Sequence, residues 1–368
     1  LSKGIEYLIK KNNIDYIPAY GKIKNASTVI GKDSKGNKIE YYTDSIIIAT
    51  GARPKYFPGM EPDGNLVITS KEAMVLKEQP KSIAIIGAGA IGVEFAHFYK
   101  TFGTEVTLIE ALPNILPVED ESISKELEKI FLKRKINILT NTLVSKLEKK
   151  TTKVKIHLKE GSLIDAEKVL IATGVKGNIE GLGLEDCNIS IQKDYIKVNE
   201  FMETNVENIY AIGDVAGPPW LAHVASAEGI IAVEKIAGLD PDPMLYDNIA
   251  GCTYCDPEVA SVGLTEKAAK EQGYDLKIGK FPFRGLGKSM AIGNIDGFVK
   301  VIYDAKYGEM LGCHIIGSEA TNLISEASIA RKLETTHKEI LSTIHPHPTL
   351  SEAIMEATAD AFDEAIHI

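Results

Sequence analysis

The stretch SIAIIGAGAIGVEFAHFYKTFGTEVTLIE, from Ser82 to Glu110, decides how this chain is read. Residues 82–86 form a short, apolar, β-branched run, the pattern of a buried strand. Three glycines follow at Gly87, Gly89 and Gly92, then a segment of helical character over 93–101 and a second strand over 105–110. Strand, glycine turn, helix and strand make one βαβ unit. A glycine triplet alone is a weak signal, but here an acid, Glu110, closes the next strand about 20 residues on, as the dinucleotide fingerprint requires. Gly87 permits a tight turn, Gly89 lets backbone approach a pyrophosphate, and Gly92 lets helix pack on strand. The helix N-terminus offers unpaired N–H groups and partial positive charge to the phosphates. Glu110 would accept a hydrogen bond from a ribose 2′-hydroxyl and repel a 2′-phosphate, which favours NAD over NADP.

Working outward, 368 residues at about 150 per domain predict two or three domains. Lys and Arg number 41 against 51 Asp and Glu, a net charge of −10 that argues against a nonspecific nucleic-acid binder. With 44% hydrophobic and 25% charged residues the chain reads as an ordinary globular protein rather than a disordered one. No apolar run reaches the ~20 residues of a membrane span. The best candidate, from Ile83 to Val93, is ended by Glu94, His97 and Lys100, so a soluble protein is expected. Cys187, Cys252, Cys255 and Cys313 are too few and scattered for a disulfide framework, which points to a reducing compartment. The first residue is Leu1 with no signal pattern after it, so the chain is expected to begin at a cut.

Upstream of the glycine turn, the sequence predicts a helix over 3–12, a hairpin over 32–37 and a buried strand over 44–50, ended by Gly51 and Pro54. A second unit starts near 79–81. Residues 120–135 carry Ile123, Leu127, Ile130 and Phe131 at helical spacing, a surface helix. Strands over 154–158 and 168–171 follow, the latter ending in Ala172-Thr173-Gly174, which repeats Ala49-Thr50-Gly51. Two dinucleotide-type folds in one chain would explain that repeat. A further apolar strand at 208–212 ends at Gly213-Asp214, and beyond the proline-containing loop at 239–243 come alternating strands (260–264, 298–303, 312–316) and a helical end.

Three other motifs carry possible chemistry. His345-Pro-His347-Pro-Thr-Leu-Ser-Glu352 sets two imidazoles beside stiffening prolines. A neutral imidazole is the natural proton acceptor near pH 7, and Glu352 could fix its tautomer and stabilise its charged form. Taken alone, this stretch reads better as a surface His-Pro loop than as a catalytic one. It is not a metal site, because no Cys, His or Asp array joins it at ligand spacing. Cys252-x-x-Cys255 has redox spacing but no following helix whose N-terminus would lower a thiol pKa, so these are read as packing cysteines. Asp214, at a strand end, could reach a ribose or ribityl hydroxyl, or cap a helix.

Five segments, GAGAIGVEFAHFYKTFGTEVTLIE, ILPVEDESISKELEKIF, NIYAIGDVAGPPWLAH, DPEVASVGLTE and HPHPTLSEA, together and in this order resemble dihydrolipoamide dehydrogenase, the flavin-dependent component of the 2-oxo acid dehydrogenase complexes. The resemblance covers the whole chain. It implies an α/β fold of disulfide reductase type with two dinucleotide folds and a C-terminal α+β dimerisation domain: residues 1–78 the remainder of an FAD domain, 79–174 an NAD domain, 175–243 a central segment returning to FAD, and 244–368 the interface domain of a homodimer. By position it assigns Gly21, Thr50, Gly51, Ala52, Asp214, Trp220, Leu221, Ala222 and His223 to FAD. It assigns Gly87, Ala88, Gly89, Ala90, Ile91, Gly92, Glu94, Glu110, Val144 and Gly174 to NAD. His347 matches the family base and Glu352 its partner, with His347 serving the flavin of the other subunit.

The implied reaction starts when the base takes a proton from a dihydrolipoyl thiol. The thiolate attacks an enzyme disulfide, and electrons pass through FAD to NAD⁺. Implied partners are lipoyl domains of 2-oxo acid dehydrogenase complexes or of the glycine cleavage system, with no nucleic acid or membrane, in the cytoplasm or a mitochondrial matrix. The chain departs from the family in showing no first glycine fingerprint and no C-x4-C pair, since no cysteine precedes Cys187. At least a βαβ unit of roughly 30 residues is therefore expected to be missing. The alternatives are glutathione or mercuric reductase, which prefer NADP, and a nucleotide-binding, dimerising fragment without redox activity.

Overall fold

The computed structural model describes residues 2–367, which fall into two compact units: 2–53 with Val175–Met244, and Pro54–Gly174 with 245–367. In the first unit the helix Ser2–Lys11 precedes a three-stranded antiparallel sheet of Tyr20–Asn25, Thr28–Lys32 and Lys38–Tyr42. The hairpin turn closes because Asp33 Oδ1 accepts the N–H groups of Lys35 (2.9 Å) and Asn37 (2.8 Å), while Gly36 takes a φ of 87°. Ile46–Ile48 pairs in parallel with Ile209–Ala211. Their core includes Ile23, Ile46, Ile48, Leu184, Ile209 and Val215. The expectation of a strand buried over 44–50 needs correction: Ile46 and Ile48 are buried, but Ile47, Ala49 and Thr50 are exposed, so one face only is covered.

The second unit is built on a five-stranded parallel sheet in the order Val67–Ile68, Lys168–Ile171, Ser82–Ile86, Glu105–Ile109, Asn137–Leu139. Ser82–Ile86 stands at the middle, with all but Ser82 buried, as expected where helices cover a parallel sheet. The helix after it runs Ala90–Thr101, starting three residues before the expected point and taking Gly92 into its first turn. The next helix is Glu121–Lys133: Asp120 lies just outside it as N-cap, accepting from the Ser122 N–H at 3.0 Å. Its Ile123, Leu127, Ile130 and Phe131 are buried, so the periodic apolar stripe packs inward.

The C-terminal part of this unit is a five-stranded antiparallel sheet ordered Gly251–Thr253, Glu258–Gly263, Met310–Gly317, Phe298–Asp304, Leu276–Pro282. The expected alternation fails here. Every residue of Phe298–Asp304 and Met310–Gly317 is buried. Both faces are covered: Val299, Val301, Cys313 and Ile315 pack in the core that holds the helices Ala320–Lys332 and Glu352–Ala361, while Val259, Phe298 and Ile316 join the core under the nucleotide-type sheet.

On that second face a polar row crosses the sheet, because Ser261, His314, Lys300 and Lys280 are successive cross-strand partners. Lys300 is 5% exposed, and its Nζ lies 2.8 Å and 3.0 Å from the two carboxylate oxygens of Asp120 and 2.7 Å from Glu266 Oε2. Such a charge is tolerable in the interior only when answered this closely. Burial is the largest influence on Asp120 and acts to raise its pKa, but the hydrogen bonds from Lys300 and Ser122 outweigh it and hold the carboxyl far below its ordinary value.

Candidate functional site

The glycine turn sits at the carboxyl end of Ser82–Ile86, beside the end of Lys168–Ile171, where Ala172 N donates to Ile86 O at 2.8 Å. Gly87 has φ 100°, and a Cβ there would stand 2.3 Å from Ala172 O. A Cβ on Gly92 would stand 1.9 Å from Gly87 O. Both positions are closed to any side chain. Gly89 differs: its φ is −71° and a Cβ would meet nothing within 4 Å, so the backbone here faces open space. Gly89 is the N-cap of the Ala90–Thr101 helix and no side chain caps it, leaving the first-turn N–H groups of Ala90, Ile91 and Gly92 directed outward. This is the cradle that a diphosphate needs.

Glu110 sits behind the turn and is 8% exposed. Its Oε2 accepts from Ala88 N at 2.7 Å and its Oε1 from Leu112 N at 2.9 Å. Its carboxylate therefore ties the glycine turn to the end of the next strand, a role the sequence did not disclose. Each oxygen keeps a second lone pair for a hydroxyl. Thr142 N donates to Glu110 O at 2.8 Å, and two residues on Val144 opens the strand Val144–Lys149. Gly174, at φ 98° with open space at its Cβ position, accepts from Lys55 N at 2.9 Å. Glu94, on the glycine-turn helix, accepts from Tyr254 N at 2.9 Å, and burial raises its pKa.

In the first unit, Thr50 and Gly51 follow Ile46–Ile48, and Asp214 follows its parallel neighbour Ile209–Ala211, so both loops share the carboxyl edge of one strand pair. Thr50 Oγ1 donates to Asn178 O at 2.8 Å and Gly51 has φ 71°. Asp214 lies in the turn Gly213–Ala216 rather than capping a helix with its side chain, and burial raises its pKa. Trp220 and Leu221 lead into the helix Ala222–Ile236, whose N-terminus no side chain caps. Gly21 lies within Tyr20–Asn25, exposed and paired with Gly31, Ala52 opens the short strand Ala52–Pro54, and His223 stands in the first turn of that helix.

The His-Pro loop belongs to the second unit. His347 has 77% of its side chain exposed, with Nδ1 2.9 Å from Glu352 Oε1. Its Nε2 has no protein partner among the described residues. Glu352 begins the helix Glu352–Ala361 and its Oε2 accepts from Thr349 N at 2.8 Å. Burial, the largest influence, raises the Glu352 pKa, and the Thr349 and His347 hydrogen bonds more than reverse it. His345 points the other way, to Glu326 on the helix Ala320–Lys332. Sequence reading missed Glu326, since 19 residues separate it from His345 and no local pattern links them.

The four cysteines are free. Burial raises every one of their pKa values, Cys313 to about 12, and Cys255 Sγ donates to Pro257 O at 3.1 Å. None offers a ready thiolate. No cluster of three metal-ligating side chains occurs among the described residues.

Comparison with known proteins fits this geometry. Residues 1–229 match the model of the pyridine nucleotide-disulphide oxidoreductases, and residues 249–358 that of their dimerisation domain. Proteins named dihydrolipoyl dehydrogenase from Rhizobium etli and Bacillus subtilis are each 45% identical to the chain, over alignments that take in 100% of it and 80% of each relative. The chain belongs to the dihydrolipoyl dehydrogenase family. Among solved structures, LpdA from Mycobacterium tuberculosis matches with a TM-score of 0.91 at 26% identity, covering 97% of this chain and 79% of that one. The HOCl-induced flavoprotein disulfide reductase RclA from Escherichia coli matches at 0.86 and 25%, covering 97% and 84%.

A dihydrolipoyl dehydrogenase is a flavoprotein oxidoreductase working with FAD and a pyridine nucleotide, and the dimerisation domain makes this one a homodimer. The chemistry of the residues present fits a pyridine nucleotide: the uncapped Ala90–Thr101 helix above Gly89 offers first-turn N–H groups to a diphosphate. For FAD it fits in part, Asp214 offering an acceptor and the uncapped Ala222–Ile236 helix donors, without a first glycine fingerprint. Among the described residues no helix is long and apolar enough to cross a membrane.

Proposed function

We propose that His347 is the base of the dihydrolipoyl reaction and Glu352 its partner, in the overall conversion of dihydrolipoamide and NAD⁺ to lipoamide, NADH and a proton. The observation that carries this reading is the dyad itself: a carboxylate anchored by the Thr349 N–H holds Nδ1 of an exposed imidazole at 2.9 Å, leaving Nε2 to take a thiol proton. The carboxylate selects the tautomer with hydrogen on Nδ1 and stabilises the ring once charged. Deprotonation matters because only the thiolate is a nucleophile toward a disulfide, an acceptor that the family resemblance supplies and that the four free cysteines of this chain do not. FAD, when bound, supplies the two-electron relay between thiol chemistry and the pyridine nucleotide.

Within the second unit, Gly87 to Gly92 with Glu94, Glu110, Val144 and Gly174 make the pyridine-nucleotide side, and in the first unit Gly21, Thr50 to Ala52, Asp214 and Trp220 to His223 make the FAD side. The buried carboxylate of Glu110 supports NAD over NADP, because a 2′-phosphate would be brought against a like charge. The substrate is a lipoyl group carried on the lipoyl domain of a 2-oxo acid dehydrogenase complex or the glycine cleavage system, and the protein works in the cytoplasm.

The test is His347→Gln in the holoenzyme. Lipoamide turnover should fall by about 10²- to 10⁴-fold, the usual worth of a positioned base, with NADH oxidation by an artificial acceptor retained. Equal loss of both activities would remove His347 from this role. Absence of lipoamide turnover in the unaltered holoenzyme would leave a nucleotide-binding, dimerising protein.

A further inference from the structure

His345 and His347 stand two residues apart in one loop, yet their surroundings are opposite. The His345 side chain is 5% exposed and that of His347 is 77% exposed. Along residues 342–348 all positions are exposed except His345, so this ring is the one side chain of the stretch that leaves the surface. Its Nδ1 lies 3.1 Å from Thr343 O and its Nε2 lies 2.8 Å from Glu326 Oε1. A backbone carbonyl and a carboxylate both only accept hydrogen bonds. A neutral ring would satisfy one of them and turn a bare nitrogen lone pair toward the other. Only a ring with hydrogen on both nitrogens satisfies the two.

We propose that His345 is a permanently charged imidazolium, ion-paired to Glu326, and that it acts as a positioning residue that locks the base-bearing loop onto the Ala320–Lys332 helix. This rests on the reading of His347 as the base. The helix is a firm anchor, with Ala320, Ile324, Ala327 and Ala330 buried in the core. The two histidines then divide the work. His345 has no free nitrogen and cannot exchange a proton with substrate, whereas His347 keeps Nε2 open. The charged groups facing His345 are Glu326 from its own pairing and Glu352 from the terminal helix, whose carboxylate also holds His347. The imidazolium thus sits near the dyad as a positive charge that helps to keep the Glu352 carboxyl ionised.

Selective ¹³C/¹⁵N labelling of histidine, read by NMR on the intact protein, tests the charge directly. Near neutral pH, His345 should show both ring nitrogens protonated. A His345 ring with one bare nitrogen would overturn the proposal, whatever His347 does. In the holoenzyme, His345→Gln should lower the ratio of lipoamide turnover to NADH oxidation by an artificial acceptor by about tenfold or more, the scale of a misplaced catalytic group. A ratio within about twofold of the unaltered enzyme (under ~0.5 kcal/mol) would refute it. If His345→Gln fails to fold, Glu326→Gln removes the pairing charge from the more exposed partner. It should lower the same ratio, and an unchanged ratio in Glu326→Gln would overturn the proposal. Failure of His347→Gln to affect lipoamide turnover would instead strike the parent reading, and the NMR result would still decide the charge of His345.

Discussion

The three glycines of the turn look alike in the sequence but sit in three different surroundings. At Gly92 a Cβ would lie 1.9 Å from a backbone oxygen, which cannot swing aside. Gly92→Ala should therefore cost about 1–3 kcal/mol of stability through overpacking, seen as a lower urea midpoint, and weaken NADH binding with it. At Gly89 nothing lies within 4 Å of the added atom. Gly89→Ala should leave the urea midpoint unchanged or slightly higher, by about 0.4–1 kcal/mol, while a fluorescence titration shows NADH binding lost. Equal destabilisation by both variants would contradict the division between packing glycine and ligand-facing glycine. The fingerprint spacing made the turn role of Gly87 and the packing role of Gly92 legible in the sequence, because both follow from backbone geometry. The two backbone bonds of Glu110 were not, since they depend on how the following loop returns. Removing them by Glu110→Ala should cost about 1–3 kcal/mol, the worth of leaving buried N–H groups unpaired, in addition to any loss of nucleotide affinity.

Among the elements, the Ser82–Ile86, Val154–Leu158 and Lys168–Ile171 strands were legible to the residue, the first and last as short apolar runs and Val154–Leu158 as a strict apolar–polar alternation. The Ala222–Ile236 helix was not. Its apolar residues lie all around it, with Val224 and Ala232 buried but Ile230 and Val233 exposed at 61% and 55%, so no single stripe announces a helix. Leu276–Pro282 escaped for a related reason: as an edge strand it ends in proline and carries two lysines. The Glu121–Lys133 helix was read well, but its cap has a second task. Asp120 serves the helix N-terminus and Lys300 together. Asp120→Asn should cost about 3–5 kcal/mol, as for other buried charges left without their main partner, measured by denaturant unfolding near neutral pH. Since the folded pKa of Asp120 lies below its ordinary 3.8, its contribution is complete above that value and fades as pH falls through it toward the folded value. The acid limb of the stability curve should be shallower in Asp120→Asn than in the unaltered protein.

At the scale of the molecule, order along the chain and order in space diverge. Residues 2–53 join Val175–Met244 in one unit, and Pro54–Gly174 joins the C-terminal part in the other. The repeated Ala-Thr-Gly endings hinted at two nucleotide folds, but nothing local says which distant segments share a core. Lys300 and Asp120 make the same point, being 180 residues apart yet bonded. Their coupling yields a further expectation: Asp120→Asn with Lys300→Met should be less destabilising than the sum of the two single changes, because the double change leaves no unpaired charge inside. Thermal unfolding of the four proteins checks it, and strict additivity would show that the pair is not a unit.

The row Ser261, His314, Lys300 and Lys280 also bears on how this protein can change in length. Successive side chains of a strand point to opposite faces. Deleting one residue from Phe298–Asp304 would turn Lys300 into the apolar layer now filled by Val299 and Val301, and send a valine against Asp120. Point substitutions in these strands trade one packing for another of similar size. Insertions and deletions there exchange the inside of two cores at once, so variation in chain length among viable descendants should be confined to the loops between the strands.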